Sequence, residues 1–139
     1  MPAAHDIPGK LERLRRDCER LEGQRQLSRA AFLASPAVQE ETGYLLLTAC
    51  QRALEIGSGL LGIVGLPEPE DEAGALGLLA ENEVLSQECV AQLTAMQGLC
   101  HALAQQYEEI DPQWVYQTLQ VNLAGLEQFV GEVEAFLEP

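Results

Sequence analysis

Apolar residues recur at intervals of three and four along almost the whole chain, which is the spacing that places side chains on one face of an α-helix. The first such segment begins near Asp6 and Pro8. Its apolar positions form a narrow seam: Ile7, Leu11, Leu14, Cys18 and Leu21. No convincing run of alternating β-branched residues interrupts the helical pattern. The pattern therefore predicts an all-α protein.

A short link around Ser28 to Ala34 separates this helix from a much longer one. Ser35 is suited to cap the long helix and Pro36 to occupy its first turn. A glycine and two prolines directly after Val64 end it. Its apolar face is Val38, Leu45, Ala49, Ala53, Ile56, Leu60 and Ile63. At about 1.5 Å per residue the helix spans roughly 43 Å, so we expect part of it to contact a partner.

Three further helices complete the prediction. Residues 71–82 have the pattern of a short helix, Ser86 caps the next one, and Asp111 with Pro112 begins a last helix that runs to about Leu137. The predicted inward positions of the last two are Cys89, Leu93, Met96, Cys100, Leu103 and Tyr107, then Val115, Leu119, Leu126, Val130 and Val133. The single linker candidate is residues 66–71. We therefore predict one domain over residues 1–139, an up-and-down bundle of about five helices.

The distribution of charge limits the possible ligands. The chain has 139 residues with a formal net charge of -14, and 47% of them are hydrophobic, as in a folded globular protein. All eight Lys and Arg residues lie in the first 52 positions, whereas fifteen acids and no base follow Arg52. This balance argues against nucleic-acid binding. The arginines of the first helix alternate with acids, which is typical of a solvated helix face.

The chain shows no pattern of a membrane or metal protein. The longest weakly polar run, residues 57–66, is too short to span a bilayer, and no secretory leader pattern opens the sequence, so we expect a cytoplasmic protein. Its four cysteines form no C-x-x-C pair, which predicts buried thiols. Cys100 and His101 are adjacent and point about 100° apart on a helix. We therefore predict neither a metal site nor a cofactor.

Residues 57–62 satisfy the pattern G-x-G-x-x-G found in dinucleotide-binding proteins. That motif works where a strand ends in a tight turn and a helix begins at the pyrophosphate. Here the preceding residues have helical periodicity. The glycines are better explained as a place where two helices come close. Ser58 and Ser86 have no histidine near them in sequence and are interpreted as packing or capping residues rather than nucleophiles.

The segment from Met96 to Tyr116 resembles the HepT-like family of the HEPN superfamily. The corresponding family stretch reads approximately G-F-R-N-x-x-V-H-x-Y-x-x-I-D-P-x-x-V-Y. The residues that match it are Tyr107, Ile110, Asp111, Pro112, Val115 and Tyr116. Family-like segments also occur in the right order at residues 32–33, 53–56 and 78–82. The resemblance therefore covers most of the chain.

The catalytic positions depart from the family. The resemblance implies a ribonuclease pair R-x4-H, but Cys100 stands at the arginine position, His101 where asparagine is common, and Gln105 at the histidine position. A shifted alignment does not restore the pair because no Arg or Lys follows Arg52. A thiol is a weak acid and an amide does not titrate. We therefore predict that no catalytic site is intact.

The resemblance implies a homodimer in which the motif helices line a cleft between subunits. It also implies an MNT-type nucleotidyltransferase as the partner, as in toxin–antitoxin pairs. We predict a non-catalytic partner of such an enzyme, and the alternative is an active RNA-cleaving toxin that uses the replaced residues.

Tyr107 matches the tyrosine to which, in the resembled toxins, the cognate nucleotidyltransferase transfers adenylate. Two interpretations are open. Tyr107 lies four residues after Leu103 on the predicted apolar face, where a tyrosine packs with its hydroxyl bonded to backbone or water. Alternatively, the hydroxyl opens into the cleft between subunits, where a partner enzyme can modify it.

Overall fold

The computed structural model describes residues 6–105 and 110–138, apart from the side chains of residues 72 and 73. Within these residues it contains helices and no strand. The helices are α1 (Ile7–Arg25), α2 (Arg29–Leu33), α3 (Pro36–Val64), α4 (Glu72–Glu81), α5 (Gln87–Gln105) and α6 (Pro112–Leu137). The predicted all-α bundle is confirmed.

The bundle has six described helices rather than about five, because the predicted link after α1 forms α2. The Ser28 hydroxyl accepts from the backbone N–H of Ala31 at 3.1 Å and so caps this short helix. Phe32 on α2 is completely buried. The short helix thus places one large aromatic side chain in the core.

The helices begin where the sequence predicted, since side chains accept hydrogen bonds from the orphan N–H groups of the first turn. Ser35 accepts from Val38 at 3.3 Å and Asp111 from Gln113 at 2.9 Å. Each of these caps is followed by a proline, which lacks an N–H group to satisfy. These two starts fix the ends of α3 and α6 that lie nearest the motif segment.

The long helix α3 is the centre of the bundle and contacts each of the other five described helices. The predicted apolar seam of α1 is buried along its whole length. One predicted inward residue of α3 is wrong, because Ile63 is 57% exposed. At this end α4 covers the face of Gly57 and Leu61, so the buried stripe turns away from Ile63.

The G-x-G-x-x-G segment lies inside α3, as its helical periodicity predicted. A Cβ atom added at Gly57 would lie 3.1 Å from a methyl carbon of Leu76, so the glycine admits α4 close to α3. The helix ends at Gly65, whose φ of 77° is left-handed, and the linker at residues 66–69 carries no helix. The glycines therefore serve helix packing and termination. Within the described residues, no helix has the length and apolar character needed to cross a membrane.

Candidate functional site

Helix α5 carries the first three motif-equivalent residues and separates them between two faces. Cys100 is buried, whereas His101 and Gln105 are exposed. Residues four apart share a helix face, so His101 and Gln105 lie together and Cys100 lies about 100° away. The residue at the arginine position therefore points into the bundle, and the residue at the histidine position points to solvent.

Cys100 is joined to Cys50 of α3 by a disulfide, with the two Cα atoms 6.8 Å apart. The prediction of four buried thiols is thus wrong for these two residues and confirmed for Cys18 and Cys89. The reason is tertiary: α3 packs against α5 with both cysteines inward at the same level, which sequence spacing does not reveal. A sulfur held in this bond cannot act as the acid, base or cation of a ribonuclease site.

The outward face of α5 near its end is uncharged. Gly98, His101 and Gln105 follow one another at intervals of three and four and form a single exposed stripe. Trp114 of α6 lies beside it, since its Cζ2 atom is 3.9 Å from the position of a Cβ at Gly98. The indole is 42% exposed. We call these four residues the α5–α6 stripe; it offers one imidazole and an aromatic surface but no cation.

The matched residues after the motif helix lie at the start of α6. Ile110, Pro112 and Val115 line a cavity of about 230 Å³ together with Leu103 of α5 and the first turn of α3. These residues therefore position the end of α5 against α3. Tyr107 lies outside the described residues, so neither interpretation of its hydroxyl is tested.

Tyr116, the last matched residue, is structural. Its hydroxyl donates to the Leu27 carbonyl at 3.0 Å, and its ring centroid lies 5.2 Å from that of Phe32. The guanidinium of Arg29 lies 5.0 Å from the same ring centroid. Tyr116 thus binds α2 to α6. One signal of this contact is present in the sequence, since residues 32–33 and 115–116 both fall in family-like segments.

Most bases of α1, and the one base of α3, form ion pairs within the bundle. Arg52 donates to Asp17 at 2.5 Å, and Lys10 lies 3.3 Å from Glu55. Burial nevertheless raises the pKa of Asp17 above its ordinary value, although the Arg52 charge and hydrogen bond oppose the shift. Arg20 is paired with Glu41 across the same helices. Contacts of this kind hold α1 on α3 and leave little free positive charge for a phosphate backbone.

A second polar cluster lies at the other end of α5. The carboxylate of Glu132 accepts from the backbone N–H of Ser86 at 2.8 Å and from its hydroxyl at 2.7 Å, and Gln128 also donates to it. Burial would raise the pKa of Glu132, but these hydrogen bonds hold it below its ordinary value. The Ser86 hydroxyl accepts from the Cys89 N–H at 3.1 Å and so caps α5, as predicted. A groove of about 770 Å³ adjoins this cluster.

The described residues contain no group of three or more His, Cys, Asp and Glu side chains that could hold a metal ion. On α5 after Leu99, His101 is the single titratable side chain that the described residues expose to solvent. It has no neighbouring cation with which to stabilise a phosphate.

Comparisons with known proteins agree with the residue pattern. The family model described as ribonuclease HepT-like matches residues 14–133. A tri-AMPylated HEPN toxin of Shewanella oneidensis, solved in complex with MNT antitoxin, has a similar structure, with a TM-score of 0.82, 23% identity, and coverage of 93% of this chain and 96% of that chain. A toxin–antitoxin structure with AMP-PNP is similar at a TM-score of 0.82, 22% identity, and coverage of 93% and 97%.

The cytosolic protein YutE of Bacillus subtilis shares the fold as well. Its TM-score is 0.79 and its identity 15%, with 94% of this chain and 90% of that chain covered. A search of curated proteins found no match. The similarity to these solved structures shows the fold.

Proposed function

Since the chain belongs to the ribonuclease HepT-like family, we propose that it is a non-catalytic member that binds an MNT-type nucleotidyltransferase, as in a toxin–antitoxin pair. The observation that supports the loss of catalysis is the state of Cys100, which stands at the arginine position and is bonded to Cys50 inside the bundle. Gln105 at the histidine position is exposed but has no proton to exchange near neutral pH. The site therefore has neither the cation nor the proton-transfer group of the family pair.

Helices α5 and α6 contain no Arg or Lys that could replace the missing cation. No Arg or Lys follows Arg52, and Arg52 is held by Asp17 on the α1 side of α3. Phosphoryl chemistry without a metal depends on positive charge placed at the scissile phosphate. The alternative of an RNA-cleaving toxin with replaced residues has His101 as its single described titratable group on this face.

RNA cleavage tests the catalytic half of the proposal. Purified protein incubated with a panel of tRNA and mRNA without metal is expected to leave the substrates intact. Cleavage that disappears in His101→Ala or Gln105→Ala, and persists in His5→Ala, would contradict the proposal and support the RNA-cleaving alternative. His5 is the matched control because it is the only other histidine in the sequence.

Partner binding tests the other half. The structural neighbour from Shewanella is an AMPylated toxin in complex with its MNT antitoxin, which supports the same class of partner here. We expect co-purification with the nucleotidyltransferase encoded beside this chain. With ATP present, intact-mass analysis should show one added adenylate that is lost in Tyr107→Phe.

Tyr44→Phe is the control for that modification. Tyr44 is 61% exposed and lies on α3, whereas the Tyr116 hydroxyl is already bonded to Leu27. Adenylate that is retained in Tyr107→Phe and lost in Tyr44→Phe would contradict the assignment to Tyr107. Absence of both a complex and a mass gain would contradict the proposal that this chain binds a nucleotidyltransferase.

The proposed state of the protein is a cytoplasmic homodimer of single-domain subunits, in which α5 and α3 contribute to the contact. The uncharged α5–α6 stripe supports this because two chains of such negative charge associate best through neutral surface. Light scattering should give about twice the 15.2 kDa chain mass. Trp114→Glu should shift it to the monomer. A monomeric native chain would refute the dimer.

A further inference from the structure

The disulfide between Cys50 and Cys100 joins two helices that are distant in sequence. The residues are 50 positions apart, and each is at most 5% exposed. It is the single covalent link between helices in the described residues, where the other two cysteines are free. Proteins of reducing compartments keep such a bond only transiently, so its state there depends on the surrounding thiols.

We propose that Cys50 and Cys100 are a reversible dithiol–disulfide site that ties the end of α5 to α3 when a small-molecule disulfide such as glutathione disulfide oxidises it. This inference does not depend on the proposed nucleotidyltransferase partner. It assigns a chemical role to the position at which the family's arginine is lost.

The reaction is balanced by two exchanges. The Cys100 thiolate attacks one sulfur of glutathione disulfide, a mixed disulfide forms on Cys100, and one glutathione leaves as thiolate. The Cys50 thiolate then attacks the Cys100 sulfur and releases the second glutathione. The protein loses two protons and two electrons, and glutathione disulfide gains both as two molecules of glutathione. Excess glutathione reverses both steps.

The surroundings of the pair fit both oxidation states. The Cys100 sulfur lies 3.8 Å from the Leu46 carbonyl oxygen, so a reduced thiol has a hydrogen-bond acceptor within the bundle. Both positions are also buried in the apolar core, where a thiol is readily accommodated. Reduction is therefore expected to loosen the α3 to α5 contact without unfolding the bundle.

The positions of the two cysteines set the order of attack. Cys50 lies in the middle of α3, which contacts every other described helix. Cys100 lies five residues before the last residue of α5. Helix ends open locally at lower free-energy cost than a central helix does. Cys100 is therefore the thiol that meets glutathione disulfide first, and Cys50 resolves the mixed disulfide.

The remaining cysteines are internal controls. Burial and nearby carboxylates raise the pKa of Cys18 and of Cys89 to about 12. Neither is bonded to a second cysteine, so neither has a neighbouring thiol with which to close a disulfide. We expect both to stay reduced in every native glutathione mixture.

Thiol counting on the full chain tests the proposal. The native protein is equilibrated in mixtures of glutathione and its disulfide, quenched with acid, and labelled with a maleimide in denaturant. Intact mass should show four labels in excess glutathione and two in excess disulfide, with full return on reduction. Four labels in every mixture would overturn the site. Two labels that native reductant does not restore to four would overturn its reversibility.

Single variants test the order of attack. Cys50→Ser should accumulate glutathione on Cys100, whereas Cys100→Ser should leave Cys50 largely unmodified over the same time. Cys89→Ala is the matched control and should keep the two-label change. Equal accumulation on both cysteines would contradict the role assigned to the end of α5.

Thermal unfolding measures how much the Cys50 to Cys100 disulfide stabilises the protein. A cross-link closing a loop of this length constrains the unfolded chain, so the midpoint of the oxidised protein should lie about 10 °C above that of the reduced protein. This difference should be absent in Cys50→Ser and in Cys100→Ser, and present in Cys89→Ala. Equal midpoints of the two oxidation states would contradict a tie between α5 and α3.

Discussion

The first three helices and the last three are stabilised by different kinds of contact. Every Lys and Arg belongs to α1, α2 or α3, or to the turn beside them, and ion pairs such as Arg52 with Asp17 cross between helices there. Helices α4 to α6 have acids but no base. They are joined to the bundle by apolar packing, the Cys50 to Cys100 bond, the Tyr116 hydroxyl and one ion pair, that of Arg15 on α1 with Glu134 on α6. The positively charged residues thus all lie in the first half, and the half that carries the motif has none of its own.

This difference bears directly on function. A ribonuclease of this family needs its cation on α5, and in this chain α5 has instead a buried sulfur and a neutral outer stripe. Neutral surface with an exposed indole is suited to contact another protein chain. The described part of the motif half thus presents a neutral stripe on α5 and carries no Arg or Lys.

Replacing Cys100 by arginine should have the largest effect, because it buries a positive charge in the half of the bundle that has no Arg or Lys. Cys100→Arg breaks the disulfide and places a guanidinium at a position that is 5% exposed, which should lower the free energy of unfolding by about 3 to 5 kcal/mol. Urea unfolding monitored by circular dichroism measures the change.

The matched control is Gln105→His on the exposed face of α5. It should change stability by about 0.5 kcal/mol or less, as surface substitutions usually do. The double variant Cys100→Arg with Gln105→His is therefore expected to be too unstable to gain ribonuclease activity. A stable, RNA-cleaving double variant would show that α5 can turn its arginine position outward.

The fold was largely predictable from the sequence because local signals agree with one another. The seam of α1 from Ile7 to Leu21 is apolar at helical spacing and is buried as a whole. The cap and proline pairs fixed the starts of α3 and α6. Helix α2 was missed because a five-residue helix has too few turns to show periodicity, and Ile63 was misplaced because α4 decides which face is covered.

The sequence names candidate site residues, whose role stays a prediction, but it does not reveal how they are arranged. The resemblance selected Cys100, His101 and Gln105, and the structure shows His101 and Gln105 exposed on one face of α5. The bond to Cys50 depends on the register between α3 and α5, which is a tertiary property. The stripe around Trp114 likewise arises from the approach of α6 at Gly98.

The ion pairs of the first half allow an internal comparison of buried and exposed charge. Arg52→Gln removes a pair whose side chains are 26% and 15% exposed and leaves Asp17 without its cation, so we expect a loss of about 1 to 2 kcal/mol. Arg16→Gln removes an exposed pair with Glu12 and should cost at most about 0.5 kcal/mol. Equal losses in chemical denaturation would show that burial does not distinguish the two pairs.

The pH dependence of stability should have opposite signs at two carboxylates, Glu132 of α6 and Asp17 of α1. The lowered pKa of Glu132 means that its contribution is present above its ordinary value of 4.5 and is lost as pH falls through the folded value. The raised pKa of Asp17 means that its contribution is present below 3.8 and is lost as pH rises through the folded value.

Unfolding of the wild type, Glu132→Gln and Asp17→Asn across acidic pH tests these signs. The stability advantage of the wild type over Glu132→Gln should grow as pH rises, whereas its advantage over Asp17→Asn should shrink. Slopes of the same sign would contradict the conclusion that hydrogen bonds lower the pKa of Glu132 and that burial raises the pKa of Asp17.

The smallest expected effects come from two helix ends, one in each half. Gly65 ends α3 with a φ of 77°, and Glu83 follows α4 with a φ of 63°. A residue with a Cβ atom is destabilised by about 1 to 2 kcal/mol in this left-handed region. Glycine avoids that cost, but it loses roughly 0.5 to 1 kcal/mol more in chain entropy on folding, which cancels part of the gain. Glu83→Gly should therefore stabilise the protein slightly.

Gly65→Ala is the inverse test. No atom lies within 4 Å of an added Cβ at Gly65, so its cost is one of backbone conformation alone. We expect a loss of about 0.5 to 1 kcal/mol there and a gain of similar size for Glu83→Gly, both measured as shifts in the thermal midpoint. A loss in Glu83→Gly would mean that the glutamate side chain stabilises the turn after α4 by more than its left-handed backbone costs.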